Sequence, residues 1–322
     1  MDWRPGASLD TLRARAGLLQ RLRAFFARAG VLEVETPLAC RAGGTDPALE
    51  PLVTRYTGPG FASGTPLYLQ SSPEFAMKRL LAAGAGPIYQ LGRAFRDGER
   101  GRRHNPEFTL LEWYRPGFHA AALMSEVAEL VRCALEAPAL AAEEISYAEL
   151  FRRHLGLDVF TASVSDLRAA ALAHDAGVAD LELERDAWLD LLMTTHIEPR
   201  LGRGAMSFVT DYPAGQAALA RLNARDPRTA ARFELFLDGV ELANGFEELT
   251  DAREQAGRFR RDNRTRAARG QPELPVDERF LAALAAGLPP CAGVALGVDR
   301  LLMRKLGIDD LDRVMAFSLE RA

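Results

Sequence analysis

The dipeptide Asp238-Gly239 stands between two alternating apolar runs in RFELFLDGVELANGF. A two-residue loop of this composition favours a type I′ turn, because both residues accept positive φ and the turn's twist matches that of the flanking strands. The segment therefore predicts an antiparallel hairpin, and with it a sheet. PIYQLGRAF and EFTLLEWYR predict two further strands joined by a polar loop. Around them, Leu12, Leu19, Leu22 and Phe26 recur at helical spacing after Ser8, a capping residue, and that helix ends at Gly30. VLEVETP alternates up to Pro37 and predicts a strand, as does PLYLQ. Ser72 and Pro73 then start the helix EFAMKRLLAAG, closed by Gly84. Residues 119–206 are rich in Ala and Leu and predict helices. Thr250 is expected to cap an arginine-rich helix, and GVALG leads as a strand into the helix VDRLLMRKLG. The fold class is α+β, an antiparallel sheet flanked by helices. It is expected in one domain, 1–322, with a mainly helical insertion around 119–206.

At 322 residues and 48% hydrophobic, the chain can bury a sizeable core without disulfide or metal staples. Its formal net charge of −4 excludes a bulk polyanion binder but leaves room for a local basic patch. Cys40, Cys133 and Cys291 are far apart in sequence, with neither disulfide nor metal-ligand spacing, which fits a reducing compartment. No segment reads as a signal peptide or membrane span, so a cytoplasmic protein without membrane attachment is expected.

The loop between the second pair of strands carries unusual charge. FRDGERGRRHNPEFTLLEWYRP, residues 95–116, holds five arginines and four acids. Guanidinium groups match phosphate oxygens two at a time and keep their charge at any working pH. A solvated hairpin tip has the same composition. Phe108, just past the loop, is placed either to stack on a base or to fill a core. Arg300 follows the Gly-rich turn GVALGVD near a helix start, where backbone N–H groups also favour anions. That turn matches neither a Walker A nor a dinucleotide fingerprint.

The acids of ELANGFEEL form a second cluster. Alternation puts Glu241 and Asn244 on opposite faces of a regular strand, so their convergence needs a bend, which Asn244-Gly245 is expected to supply. Carboxylates there suit Mg²⁺ against a triphosphate or a substrate ammonium group, and equally an exposed sheet edge.

Taken together, these segments resemble the class II aminoacyl-tRNA synthetases. GVLEVETP is similar to their motif 1, FRDGERGRRHNPEFTLLEWY to motif 2 and GVALGVDRLLM to motif 3, while SPE at 72–74 and ELANGFEELTD are similar to lysyl-tRNA synthetases. Motif 1 begins about thirty residues into the sequence, leaving no room before it for the anticodon-reading OB-fold of those enzymes. A catalytic core alone resembles the elongation factor P lysine ligase family, as do HNPEFT, EWYRP and CAGVALGVDRL.

The resemblance implies an ATP-dependent, AMP-forming ligase that activates (R)-β-lysine and attaches it to a lysine side chain of elongation factor P. It implies catalytic roles for Arg96 and Arg300. It implies an ATP site at Arg96, Asp97, Gly98, Asn105, Phe108, Glu241, Leu242, Gly297 and Arg300, with Glu241 a ligand of Mg²⁺. For the lysine-like substrate it implies Ser72, Pro73, Glu74, Glu112, Tyr114, Asn244 and Glu248. Two departures stand out. The family's Arg-x-Glu becomes Arg96-Asp97-Gly98, with the acid displaced to Glu99. Ala295 stands where lysyl-tRNA synthetases typically have glycine, and its methyl group would favour the shifted amine of a β-amino acid.

The resemblance also implies a homodimer paired through motif 1, with tRNA disfavoured as a partner. A shortened lysyl-tRNA synthetase and a non-catalytic regulatory subunit are the alternatives; the arginines of motifs 2 and 3 count against the second. Glu74, Glu112 and Glu248 are expected to clamp ammonium groups. The arginines between Arg253 and Arg269 present either a solvated helix face or a dock for an acidic acceptor.

Overall fold

Asp238 and Gly239 adopt φ of 52° and 70°, so the predicted primed turn forms and joins two paired strands. The computed structural model describes residues 3–322; the first two positions of the expected domain lie outside the described residues. In chain order the principal elements are α1 (Leu9–Arg28), β1 (Leu32–Glu33), β2 (Ala39–Cys40), β3 (Val53–Tyr56), β4 (Thr65–Leu69), α2 (Glu74–Ala82) and β5 (Ile88–Phe95). There follow β6 (Glu107–Pro116), α3 (Ala120–Leu135), β7 (Ala141–Ser146), α4 (Tyr147–Leu155), α5 (Val164–His174) and α6 (Arg185–Leu192). The chain closes with β8 (Ala205–Pro213), β9 (Thr229–Leu237), β10 (Val240–Glu247), α7 (Ala252–Ala268), α8 (Glu278–Gly287), β11 (Cys291–Gly297) and α9 (Val298–Leu306).

Eight strands make one sheet in the order β1-β5-β6-β11-β10-β9-β8-β7. Its interior pairings are all antiparallel, as the hairpins require, but the edge pairs β1/β5 and β7/β8 are parallel. VLEVETP contributes only the two residues of β1 to this sheet, and Leu32 within it is 56% exposed. A separate three-stranded sheet, β2-β4-β3, lies outside it.

One face of the large sheet carries the main core. Helix α1 begins where the Ser8 hydroxyl accepts the Thr11 N–H and buries Leu18, Leu22, Phe25 and Phe26. The Phe26 ring stacks on Tyr89 at 4.3 Å and meets Trp113 edge-on at 5.3 Å. Helices α3 and α9 complete this layer, so α3 belongs to the main core rather than to an inserted unit. The rest of 119–206 is mainly helical, with β7, the start of β8 and short connections between; α4, α5 and α6 enclose a second core around Trp188, Tyr147 and Phe151. Helix α7 is capped by Asp251, whose carboxylate accepts the Arg253 and Glu254 N–H groups, and not by the neighbouring Thr250. A carboxylate one residue later reaches the same orphan donors with a full charge.

Candidate active site

The opposite face of the sheet floors a cleft of about 1270 Å³. Strand periodicity puts its floor in place. On β6, Phe108, Leu110, Glu112 and Tyr114 line the cleft, while the alternate residues Leu111 and Trp113 lie in the main core. On β11, Gly293, Ala295 and Gly297 face the same way. On β10 the alternation breaks: the register shifts between Glu241 and Ala243, and Leu242 and Ala243 both enter the core. This bulge brings Glu241 onto the same face as Asn244, Phe246 and Glu248. The bend expected at Asn244-Gly245 is therefore located at Leu242, which borders the cleft with its side chain packed inward. Gly245 instead stays in the ladder, where a Cβ would overlap the Phe233 ring.

One end of the cleft is cationic. The Arg96 guanidinium sits over the Phe108 ring at 5.0 Å, and its Nη1 lies 3.4 Å from Glu99 Oε1. Arg300 Nη1 donates to Glu241 Oε2 at 3.0 Å and to the Glu241 carbonyl at 3.1 Å, and Nη2 is 2.6 Å from His104 Nε2. Burial works against the Glu241 charge, yet Arg300 holds that carboxyl below its usual range. Burial and the same Arg300 depress the His104 pKa. Behind this end, buried Asp299 accepts from Arg15 Nη1 at 2.6 Å and from the Thr109 N–H at 2.7 Å, locking α9 to α1 and β6.

The arginine-rich loop is not a single cluster. Arg96, Glu99, Arg103, His104 and Asn105 line the cleft; Asp97 and Gly98 do not. The Asp97 N–H donates to the Glu50 carbonyl, and its carboxylate accepts the Gly98 N–H. Arg100 pairs instead with Asp312 and Glu320, and Arg115 with Glu126. The Asn105 amide is engaged at both ends, donating to the Glu107 carbonyl at 2.7 Å and accepting the Leu319 N–H at 3.1 Å. It braces the loop from within.

The other end is anionic. Ser72 Oγ donates to Glu112 Oε2 at 2.7 Å and accepts the Glu74 N–H at 3.0 Å, coupling the start of α2, at Pro73, to β6. The Tyr114 hydroxyl donates to Glu112 Oε1 at 2.5 Å. Burial, reinforced by the Glu74 charge, pushes the Glu112 carboxyl up to about 7 against these hydrogen bonds. Glu248 is also buried and its pKa is raised. At Gly293 a Cβ would overlap both the Tyr114 ring and Glu248 Oε1, so glycine there makes room for two pocket groups.

Several residues here escaped the sequence reading. Lys78, 1% exposed, places its ammonium 2.5 Å from both Glu74 Oε1 and Glu248 Oε2. Two expected clamps thus already hold a resident cation. Arg232 donates to Asn244 Oδ1 at 3.3 Å and pairs with Glu234, which also accepts the Tyr212 hydroxyl at 2.6 Å, so Asn244 is oriented from below. On α7, Arg258 and Arg266 turn inward to backbone carbonyls and to Glu254 and Glu50, while Arg253, Arg260, Arg261, Arg264 and Arg269 remain exposed. Helical periodicity would have flagged Arg258 and Arg266, but a run of arginines hides its own buried members.

Among the described residues no three His, Cys, Asp or Glu side chains gather as a metal cage. Glu241 on the cleft wall fits Mg²⁺ in the other manner, one carboxylate acting together with substrate phosphates. No helix is long and apolar enough to cross a membrane among the described residues.

Residues 1–321 match the sequence model of the family described as tRNA synthetases class II (D, K and N). The chain is 52% identical over 321 residues to the elongation factor P--(R)-beta-lysine ligases of Salmonella paratyphi B (strain ATCC BAA-1250 / SPB7), Salmonella heidelberg (strain SL476) and Salmonella agona (strain SL483). Those alignments cover 99% of this chain and 98% of each relative. With its motif 2 and motif 3 strands side by side on the cleft floor, the chain belongs to the class II tRNA synthetase family (D, K and N).

Proposed function

We propose that the chain is an ATP-dependent ligase that activates (R)-β-lysine as an aminoacyl adenylate and transfers it to a lysine side chain of elongation factor P. The observation that carries this reading is the polarity of a single cleft: Arg96, Phe108 and Arg300 at one end, and Glu74, Glu112 and Glu248 at the other. The 52% identity to ligases of that name supports it across the full length of the alignment.

In the first step a substrate carboxylate oxygen bonds to the α-phosphorus of ATP while the bond to pyrophosphate breaks. Both reactants are anions, so alignment and positive charge supply most of the rate. Arg96 and Arg300 answer this need, and Phe108 offers a face for adenine. Mg²⁺ held by Glu241 would neutralise phosphate charge at that end. The adenylate and phosphate contacts extend to Asn105, Leu242 and Gly297, and Glu99 stands in for the acid absent at Gly98. The amino groups lie among Ser72, Glu74, Glu112, Tyr114, Asn244 and Glu248, with Ala295 beneath them.

In the second step the acceptor amine attacks the adenylate carbonyl, forming an amide, releasing AMP and giving up a proton. Residues 1–322 act as one catalytic domain, working as a homodimer in the cytoplasm, where three unpaired cysteines are at home.

The test is amino-acid-dependent ATP–pyrophosphate exchange with (R)-β-lysine, α-lysine and unrelated amino acids, followed by transfer to elongation factor P. Strongest exchange with (R)-β-lysine and labelling of the factor are expected. Exchange with α-lysine alone would return the chain to the tRNA synthetases, and none with any amino acid would overturn the reading.

A further inference from the structure

Lys78 does not line the cleft, so a bound amino acid would not touch it; it lies behind Glu74 and Glu248 with its ammonium shared between them. The groups around it are Glu74 on α2, Glu112 on β6 (which accepts the Tyr114 hydroxyl), Glu248 just after β10, Cys291 on β11 and the Phe280 ring of α8 at 5.8 Å. Among the described residues Lys78 is the cation packed between these carboxylates, and that balance has a consequence for what the pocket accepts.

We propose that Lys78 is a positioning residue whose ammonium serves as an internal counter-ion, leaving the three carboxyl groups, once substrate binding has ionised them, with two uncompensated charges, the complement of a substrate bearing two ammonium groups. The inference deepens the ligase reading and rests on it for the identity of the substrate. Burial works against the Lys78 charge, but Glu248 and Glu74 hold its pKa above the ordinary value, so the counter-ion is permanent. It also holds apart two carboxylates that would otherwise repel. Without it, two close carboxyl groups share a proton and draw together, as paired acids do. The pair's charge then depends on pH, and its geometry no longer fits an amine.

The experiment compares the parent with Lys78→Met in pyrophosphate exchange across neutral to alkaline pH. In the variant, KM for (R)-β-lysine is expected to rise at least about tenfold at neutral pH with kcat nearly unchanged, since the carboxylates still exist but are misplaced. The excess should shrink as pH rises, because substrate binding now expels a shared proton, one more than in the parent. The double variant Glu74→Gln with Lys78→Met, which has no close pair of charges, should lose that additional pH dependence.

A KM and pH profile equal to the parent's would overturn the proposal. If Lys78→Met does not fold, the double variant decides: folding restored supports the counter-ion role, and failure of both makes Lys78 a packing residue. A separate arm needs no substrate. Infrared absorption of protonated carboxyl groups at neutral pH should be stronger in Lys78→Met than in the parent. That difference, with a parent silent in exchange, would sink the ligase reading and keep the charge role; equal spectra would sink the charge role.

Discussion

Arg300 and Glu241 hold each other across the cationic end of the cleft, with Nη1 at 3.0 Å from Oε2 and at 3.1 Å from the Glu241 carbonyl. The arginine is thereby pointed into the cleft before any nucleotide arrives. Replacing Arg300 by Ala should lower (R)-β-lysine-dependent exchange by about 100- to 1,000-fold, the usual loss of one preorganised charge. Glu241→Gln should instead raise the Mg²⁺ concentration needed for half-maximal exchange. A Mg²⁺ dependence identical to the parent's would remove Glu241 from metal binding.

Glu112 is expected to make substrate binding depend on pH. Its carboxyl is raised to about 7, and a substrate ammonium prefers the ionised form. KM for (R)-β-lysine is therefore expected to climb as pH falls through that value, approaching about tenfold per unit. Glu112→Gln should flatten the profile. For stability the sign is reversed. The folded protein keeps a proton that the unfolded chain releases at the ordinary carboxyl value, so the unliganded protein loses stability as pH rises from there towards 7. A flat KM profile in the parent would contradict this assignment.

Asp299 should matter to folding more than its single side chain suggests. Asp299→Ala leaves Arg15 Nη1 without its carboxylate, although Nη2 still donates to the Thr109 hydroxyl, and leaves the buried Thr109 N–H without its acceptor. Breaking such a pair costs about 3–5 kcal/mol. Urea denaturation followed by fluorescence of buried Trp113 and Trp188 would measure it, and an unchanged midpoint would count against the lock between α1, β6 and α9.

Gly293→Ala separates the two ends of the cleft. The atoms nearest the added methyl, in the Tyr114 ring and at Glu248 Oε1, all belong to the acidic end. KM for the amino acid should rise by about 10- to 200-fold, the range over which one misplaced group discriminates substrates. KM for ATP should stay put. Equal losses in both would mean that the sheet itself had shifted.

Much of the framework was legible because it depends on local rules. The Asp238-Gly239 turn, the β5–β6 pair and the strand-to-helix passage at Gly297 follow from turn chemistry and alternation. The parallel edges did not, since the strands that flank β1 and β7 in the sheet are remote in sequence. Within the site, Glu241 and Asn244 could be read as partners needing a bend. The bulge at Leu242 was hidden because an extra apolar residue in a strand looks like any other. Lys78 looked like an ordinary helix lysine in EFAMKRLLAAG; only the return of Glu248 from β10 makes it buried. Likewise Arg100 read as a phosphate ligand until Asp312 and Glu320 claimed it.

The floor of the cleft has one further consequence. Phe108 and Glu112 lie on the same strand, four residues apart, a separation of about 13 Å along the strand. Glu241 and Asn244 repeat the arrangement on β10, and Gly293, Ala295 and Gly297 on β11. The span between activation and cargo is thus a gauge cut into hydrogen-bonded backbone, and no hinge can lengthen it. Retargeting such an enzyme to a new cargo must proceed by exchanging side chains at the acidic end, one strand position at a time. The cationic end, proposed for the nucleotide, would be insulated from those exchanges, which would allow a single activating engine to persist while the molecule it loads changes.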